Sequence, residues 1–118
     1  MGINNERGSW GERKAEEYLI RKGFAVLEKN YRYKHSEIDL IVTVSDMLIF
    51  VEVKTRSGTA FGMPEEFVNA GKAGLVKKAA EYYIYDKDWQ QDVRFDIVSV
   101  LVLPDGQTEI YHIEDAFC

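Results

Sequence analysis

Residues Ser36–Lys54 read S-E-I-D-L-I-V-T-V-S-D-M-L-I-F-V-E-V-K. Two apolar runs, Ile38–Val44 and Met47–Val53, flank Ser45-Asp46, and both are rich in β-branched residues. That pattern predicts an antiparallel hairpin closed by a tight turn. A two-residue loop pairs Val44 with Met47, and a four-residue loop pairs Thr43 with Leu48. Both give one register, in which the numbers of opposite partners sum to 91. Asp39 is then expected opposite Glu52, and Glu37 opposite Lys54.

Side chains alternate faces along a strand. One face of the hairpin is therefore expected to carry Ile38, Leu40, Val42, Ile49, Val51 and Val53. The other carries Ile41, Thr43, Leu48 and Phe50 near the turn and Glu37, Asp39, Glu52 and Lys54 at the open end. Directly opposed carboxylates have Cβ atoms about 4.5–5.5 Å apart and repel. Such a pair needs a cation between its members or a raised pKa on one of them. An unbulged ladder here gives half of a metal site.

Working outward, the 118 residues are expected to form a single domain, 1–118, large enough for one core. Apolar content of 46% and charged content of 30% are those of an ordinary soluble domain. No run reaches membrane-spanning length. The first residues, M-G-I-N-N-E-R-G-S-W, lack the apolar core of a secretion signal, and Glu6 stands where a myristoylation motif needs Ser or Thr. Cys118 is the only cysteine, so no disulfide framework or thiolate cluster is available and a reducing cytoplasm is expected. The net charge of −5 and pI of about 5.0 argue against a protein that coats nucleic acid non-specifically. They leave room for a local basic rim.

A first helix is expected over Ser9–Lys22, with Gly11, Ala15, Tyr18 and Leu19 on its apolar stripe and Gly23 at C′. Glu12 has two readings. Ser9-x-x-Glu12 is a capping box. Alternatively, at about 100° per residue Glu12 falls roughly 20° from Leu19, at the edge of the buried stripe, and points at whatever the helix covers. Phe24–Tyr31 follows as a short strand, and Thr55–Met63 as a loop. A second helix is expected over Val68–Tyr85, with Val68, Leu75, Val76, Ala79 and Tyr83 inward and Lys72 within that stripe. Val93–Leu103 and Thr108–Ile113 are strands around a Pro104-Asp105-Gly106 turn. The order α-β-β-β-α-β-β gives an α/β fold, a mixed sheet flanked by helices, with one β-α-β crossover.

An acid followed about a dozen residues later by E-x-K on the next strand suits metal-assisted phosphodiester hydrolysis. Asp39, Glu52 and the carbonyl of Val53 offer hard oxygen ligands for Mg²⁺ or Mn²⁺. The metal stabilises phosphoryl charge and acidifies a bound water. Lys54 positions that water or neutralises developing charge. Glu12 is a further ligand, direct or through water.

Gly11–Phe24 (G-E-R-K-A-E-E-Y-L-I-R-K-G-F), Ser36–Ile41 (S-E-I-D-L-I), Phe50–Arg56 (F-V-E-V-K-T-R) and Phe61–Pro64 (F-G-M-P) resemble the YraN-type family of predicted endonucleases. So do Lys72, Ala79, Ala80-x-Tyr82-Tyr83 and Arg94–Val98 (R-F-D-I-V), so the resemblance spans nearly the whole chain. Two departures are Ser36 for the usual Gly before E-I-D, and Ile38 where the wider superfamily has Pro. The resemblance implies a restriction-endonuclease-like core of the PD-(D/E)-x-K superfamily, similar to archaeal Holliday-junction resolvases. Glu12, Asp39, Glu52 and Lys54 match that pattern as catalytic residues. It implies a divalent-metal-dependent endonuclease acting on DNA, branched or structured DNA among its substrates, and a homodimer. A protein partner is compatible with it.

Each residue also has a plainer reading. Glu37 and Lys54 can be a cross-strand ion pair, with Glu37 in a supporting role. Lys72 can merely extend its stem along apolar surface, or join Arg56, Arg32 and Lys34 in a phosphate-binding rim. Asp96 reads as structural. His35 and His112 read as isolated, without zinc-ligand spacing. Tyr82, Tyr83, Tyr85 and Trp89 read as core or dimer surface rather than base-stacking platforms. The rival to an enzyme is a non-cleaving nucleic-acid-binding or adaptor module on the same fold.

Overall fold

The computed structural model describes residues 3–57 and 70–116, with side chains from residue 10 in the first helix and residue 73 in the second. The elements are α1 (Ile3–Arg21), β1 (Ala25–Tyr33), β2 (Ser36–Val44), β3 (Met47–Ser57), α2 (Ala70–Lys87), β4 (Asp92–Val102) and β5 (Thr108–Ile113). The expected order α-β-β-β-α-β-β is the observed one. The strands form one mixed sheet in the order β1-β2-β3-β4-β5, antiparallel except for the β3–β4 pair that α2 connects.

The sheet buries both faces. On one, Leu40, Val42, Ile49, Val51, Val98 and Val100 pack under Ala15 and Leu19 of α1. On the other, Ile38, Ile41, Leu48 and Phe50 pack against Val76, Ala79, Ala80 and Tyr83 of α2. Positions 76, 79, 80 and 83 follow the i, i+3, i+4, i+7 spacing of a helix face. Leu75, expected inward, lies 100° around from Val76 and is half exposed. Val68 and the Phe61–Pro64 motif lie outside the described residues, as does the Lys72 side chain. Among the described residues, no helix is long and apolar enough to cross a membrane.

The predicted hairpin register is present, from Val44↔Met47 to Leu40↔Val51. Ser45 takes a left-handed φ of 53° in the two-residue turn. Three expectations need correction. The ladder pairing ends at Leu40 and Val51, so Asp39 and Glu37 have no ladder partners in β3. Ile38 packs on the α2 side, not with Leu40 and Val42. The reason lies in the neighbouring strand: Asn30, with φ 54°, sits between the pairs Lys29↔Leu40 and Tyr31↔Ile38. A left-handed residue turns the chain over, so Tyr31 and Ile38 follow each other to the α2 face. Third, α1 begins at Ile3, so Ser9 lies inside the helix and is not its N-cap.

Two glycines fix how α1 sits. Gly23, φ 99°, closes α1 as expected. Its N–H bonds the Ile20 carbonyl at 3.0 Å, and the Phe24 N–H bonds that of Leu19 at 3.0 Å. This is the paired bonding of a Schellman cap. Gly11 faces Thr55 of β3 so closely that a Cβ there would collide with Thr55 Oγ1. The missing side chain lets the middle of α1 rest on β3 beyond Lys54, and Glu12 is the next residue.

Candidate active site

At the open end of the hairpin the Asp39 carboxylate does what a strand would otherwise do. Its Oδ2 accepts the Val53 N–H at 2.8 Å. That nitrogen belongs to the peptide joining Glu52 to Val53, so Asp39 is pinned to the backbone of E-x-K. The N–H and C=O of one strand residue point to the same neighbour. The Val53 carbonyl therefore faces the same gap between β2 and β3.

Alternation sorts the rest. Val51 and Val53 pack on the α1 face, which sends Glu52 and Lys54 toward the face of Leu48 and Phe50. Asp39, bonded to an in-plane amide, lies in the sheet between the two faces. Glu52 is 1% exposed, and its Oε1 accepts no hydrogen bond among the described residues. Glu52, Asp39, Lys54 and Arg56 each make further interactions.

Glu12 enters from above. Burial first, and then the negative charges of Asp39 and Glu37, push its pKa from 4.5 up to about 7. A hydrogen bond with Asp39 also favours its protonated form, while one from the Asn30 side chain opposes the shift. Because Ser9 is not an N-cap, the capping-box reading of Glu12 is removed and the inward-pointing one stands. Glu37 sits 3.7 Å from Arg32 on β1.

Among the described residues, no group of three or more His, Cys, Asp or Glu is arranged ready-made to hold a metal ion. The donor chemistry nonetheless fits a hard divalent cation. Glu12 and Asp39 offer only oxygen donors, they touch, and their mutual repulsion already favours a proton between them. A cation relieves the same repulsion.

Three of the four basic residues named from sequence lie on or beside the strands that meet here. Arg32 and Lys34 lie in and beside the β1–β2 turn, and Arg56 is two residues past Lys54 on β3. His35 is exposed in that turn.

Sequence reading missed a second acidic site. Asp96 is fully buried. Its Oδ1 accepts Arg94 Nε at 2.8 Å and the Asp115 N–H at 3.0 Å, and its Oδ2 lies 2.9 Å from Arg94 Nη2 and 2.7 Å from His112 Nε2. Burial alone would raise its pKa. The bonds from His112, Arg94 and Asp115 outweigh burial and hold it below the usual carboxylate value. His112, taken as isolated, also meets the rings of Tyr18 and Phe24 edge-on. The signal was available: β4 and β5 pair Val98 with His112, and Asp96 shares the face of Val98. This knot is structural, as expected for Asp96.

Comparison with known proteins bears on the whole chain. Residues 11–100 match the family described as "Uncharacterised protein family UPF0102". A UPF0102 protein of Syntrophomonas wolfei is 45% identical over 116 residues, 98% of this chain and 100% of the relative. One of Dictyoglomus turgidum is 46% identical over 105 residues, 88% and 89% of the two chains. One of Clostridioides difficile is 44% identical over 115 residues, 97% and 98%. The resemblance to YraN-type proteins holds at this level, and the chain belongs to the UPF0102 family.

Proposed function

We propose that this chain is a divalent-metal-dependent endonuclease of the PD-(D/E)-x-K superfamily that hydrolyses phosphodiester bonds in DNA, branched or structured DNA included. The observation that carries the reading is the Asp39 carboxylate, bonded to the Glu52–Val53 peptide on one side and coupled to Glu12 on the other. Acids from α1 and β2 are thereby tied to the backbone of Glu52 on β3, with Lys54 two residues along from Glu52.

Asp39, Glu52 and the Val53 carbonyl would hold Mg²⁺ or Mn²⁺, and Glu12 would complete the set. The ion, when bound, supplies charge stabilisation at the phosphoryl oxygens and a more acidic water. Lys54 contributes an ammonium toward the charge that develops on the phosphate. Arg32, Lys34, Arg56 and Lys72 would contact neighbouring phosphates. A cytoplasmic location follows from cysteine usage, and a homodimer from the resolvase analogy.

A second reading is a non-cleaving nucleic-acid-binding or adaptor module. It draws on the lack of a ready-made three-ligand group among the described residues and on the net charge of −5. Cleavage of single-strand, duplex, flap and four-way-junction DNA in Mg²⁺ and in Mn²⁺, beside Glu52→Ala, separates the two. Cutting that EDTA and Glu52→Ala both abolish supports the endonuclease. Retained binding without cutting supports the module.

A further inference from the structure

An open groove of about 560 Å³ lies on the α2 face, between that helix and the β1–β2 turn. Its helical wall is the stripe Leu75, Lys78, Tyr82 and Tyr85, and its turn wall includes Tyr33, Lys34 and His35. Spacings of three and four residues put that stripe on one helix face, turned away from the core residues Val76, Ala79 and Tyr83. Its aromatics are unusually open: Tyr85 is 84% exposed and Tyr82 43%. Tyr82 stacks on Tyr33 with ring centroids 4.6 Å apart, and Lys34 Nζ stands 5.4 Å from the centre of the Tyr33 ring. Among the described residues, two lysines and a histidine face one acid, Glu81, here, in a chain whose net charge is −5.

Resting on the DNA reading above, we propose that this groove binds an unpaired, single-stranded segment of the DNA substrate, its bases stacked on Tyr85 and Tyr82 and its phosphates on Lys34 and Lys78. Aromatic faces interleaved with cations are the means by which proteins hold single strands without reading sequence. The two lysines among the described residues sit beside Glu81 and hold a duplex poorly by charge, so stacking carries the affinity, and only unpaired bases offer a face. The groove also has a direction. Beyond Tyr85 the surface turns acidic, with Glu81, Asp86 and Asp88 around the next hollow, so a strand ends there. The turn wall also includes Ser36, three residues before Asp39. At about 3.3 Å per residue that is about 10 Å, the rise of about three stacked nucleotides. A single strand seated in the groove therefore leads toward the acids.

The test is fluorescence anisotropy of a labelled oligo-dT of about 12 nucleotides against the full chain in EDTA, where no cutting occurs. A duplex of equal length serves as competitor. The wild type is expected to prefer the single strand. Tyr85→Ala is expected to bind about tenfold more weakly, and Lys78→Glu to bind more weakly with a shallower salt dependence. Both positions are exposed, and circular dichroism and melting of each variant check that the fold is kept. Absence of wild-type binding, or equal binding by all three proteins, overturns the proposal. So does a Tyr85→Ala chain that changes from dimer to monomer by light scattering with unaltered oligonucleotide affinity, which would make this face a contact between copies. Binding lost in the variants without any nuclease activity in Mg²⁺ or Mn²⁺ keeps the groove and sinks the nuclease. Cutting with unaltered variant binding does the reverse.

Discussion

Two carboxylate sites lie beneath α1, and they handle charge in opposite ways. At the middle of the helix, burial and then the charges of Asp39 and Glu37 drive the pKa of Glu12 up to about 7. Near the C-terminal half, Asp96 is fully buried yet held below the usual value, because an arginine, a histidine and a backbone N–H all bond it. Depth is therefore not what separates them, since Asp96 is the more deeply buried. Supply of donors is. A carboxylate given donors at every turn tightens the fold, whereas acids set against one another leave a demand that only a proton or a cation meets. The first arrangement holds the C-terminal strand and turn to the sheet. The second leaves Glu12 with a raised pKa beside Asp39.

The largest effect is expected from breaking the satisfied site. Asp96→Ala leaves Arg94 and His112 without their shared partner. Removing one member of a buried charged set costs about 3–5 kcal/mol, readable as a lower urea midpoint. The sign with pH follows from the lowered folded pKa. The Asp96 contribution is present above the unfolded value of 3.8 and is lost as pH falls through the folded one. Acid denaturation of the wild type is therefore expected to be steeper below about pH 4 than that of Asp96→Asn. Equal acid limbs would remove the knot from the account.

A smaller effect is expected where α1 rests on β3. Gly11→Ala gains helix propensity of up to about 1 kcal/mol, but its Cβ would meet Thr55 Oγ1, and such overpacking costs about 1–3 kcal/mol. A net loss of stability is expected, with Thr55→Ala restoring part of it in the double variant. Stability raised by Gly11→Ala alone would show that the close approach is not needed. Because Glu12 is the next residue, the same substitution is expected to lower the affinity for Mn²⁺ in calorimetric titration.

The smallest effect on stability belongs to the frustrated site, and it has the opposite sign. An acid whose folded pKa is raised makes the fold less stable as pH climbs from the unfolded value to the folded one. The Glu12 penalty therefore builds between about pH 4.5 and about pH 7 and stays constant above. Glu12→Gln is expected to melt a few degrees higher than wild type at pH 8 and equally at pH 4. Mn²⁺ is expected to raise the wild-type melting temperature at pH 8 and not that of Asp39→Asn. A Glu12→Gln chain that melts lower at pH 8 would mean that the glutamate is stabilising.

Alternation and turn chemistry were enough to read the hairpin, its register and the three-layer order, because each apolar run had one burial solution. Strand alternation also pointed to Asp39, Glu52 and Lys54 as candidates, and helical spacing to Glu12. What they did not carry was the departure at Asn30, where one left-handed residue inverts the faces of Tyr31 and Ile38. Hydrophobic pattern has no mark for it. The opposed-acid picture of Asp39 and Glu52 failed for that reason: at the twist, Asp39 bonds an amide instead of facing a side chain. The start of α1 was set too late because Ile3–Gly8 has no apolar periodicity to announce a helix. The Asp96–His112 bond joins residues 16 apart in sequence, and only the β4–β5 register brings them together.

The comparison between the two acidic sites is tested most directly by carboxyl-detected NMR titration of Glu12 and Asp96 in the same sample, with and without Mg²⁺. Glu12 is expected to titrate near pH 7 in the free protein and to move well down when Mg²⁺ is added. Asp96 is expected below its ordinary value and unmoved by the ion. A Glu12 that titrates at its ordinary 4.5 in both conditions would contradict the account, since no unmet charge would then exist at that end of the sheet for a metal to answer.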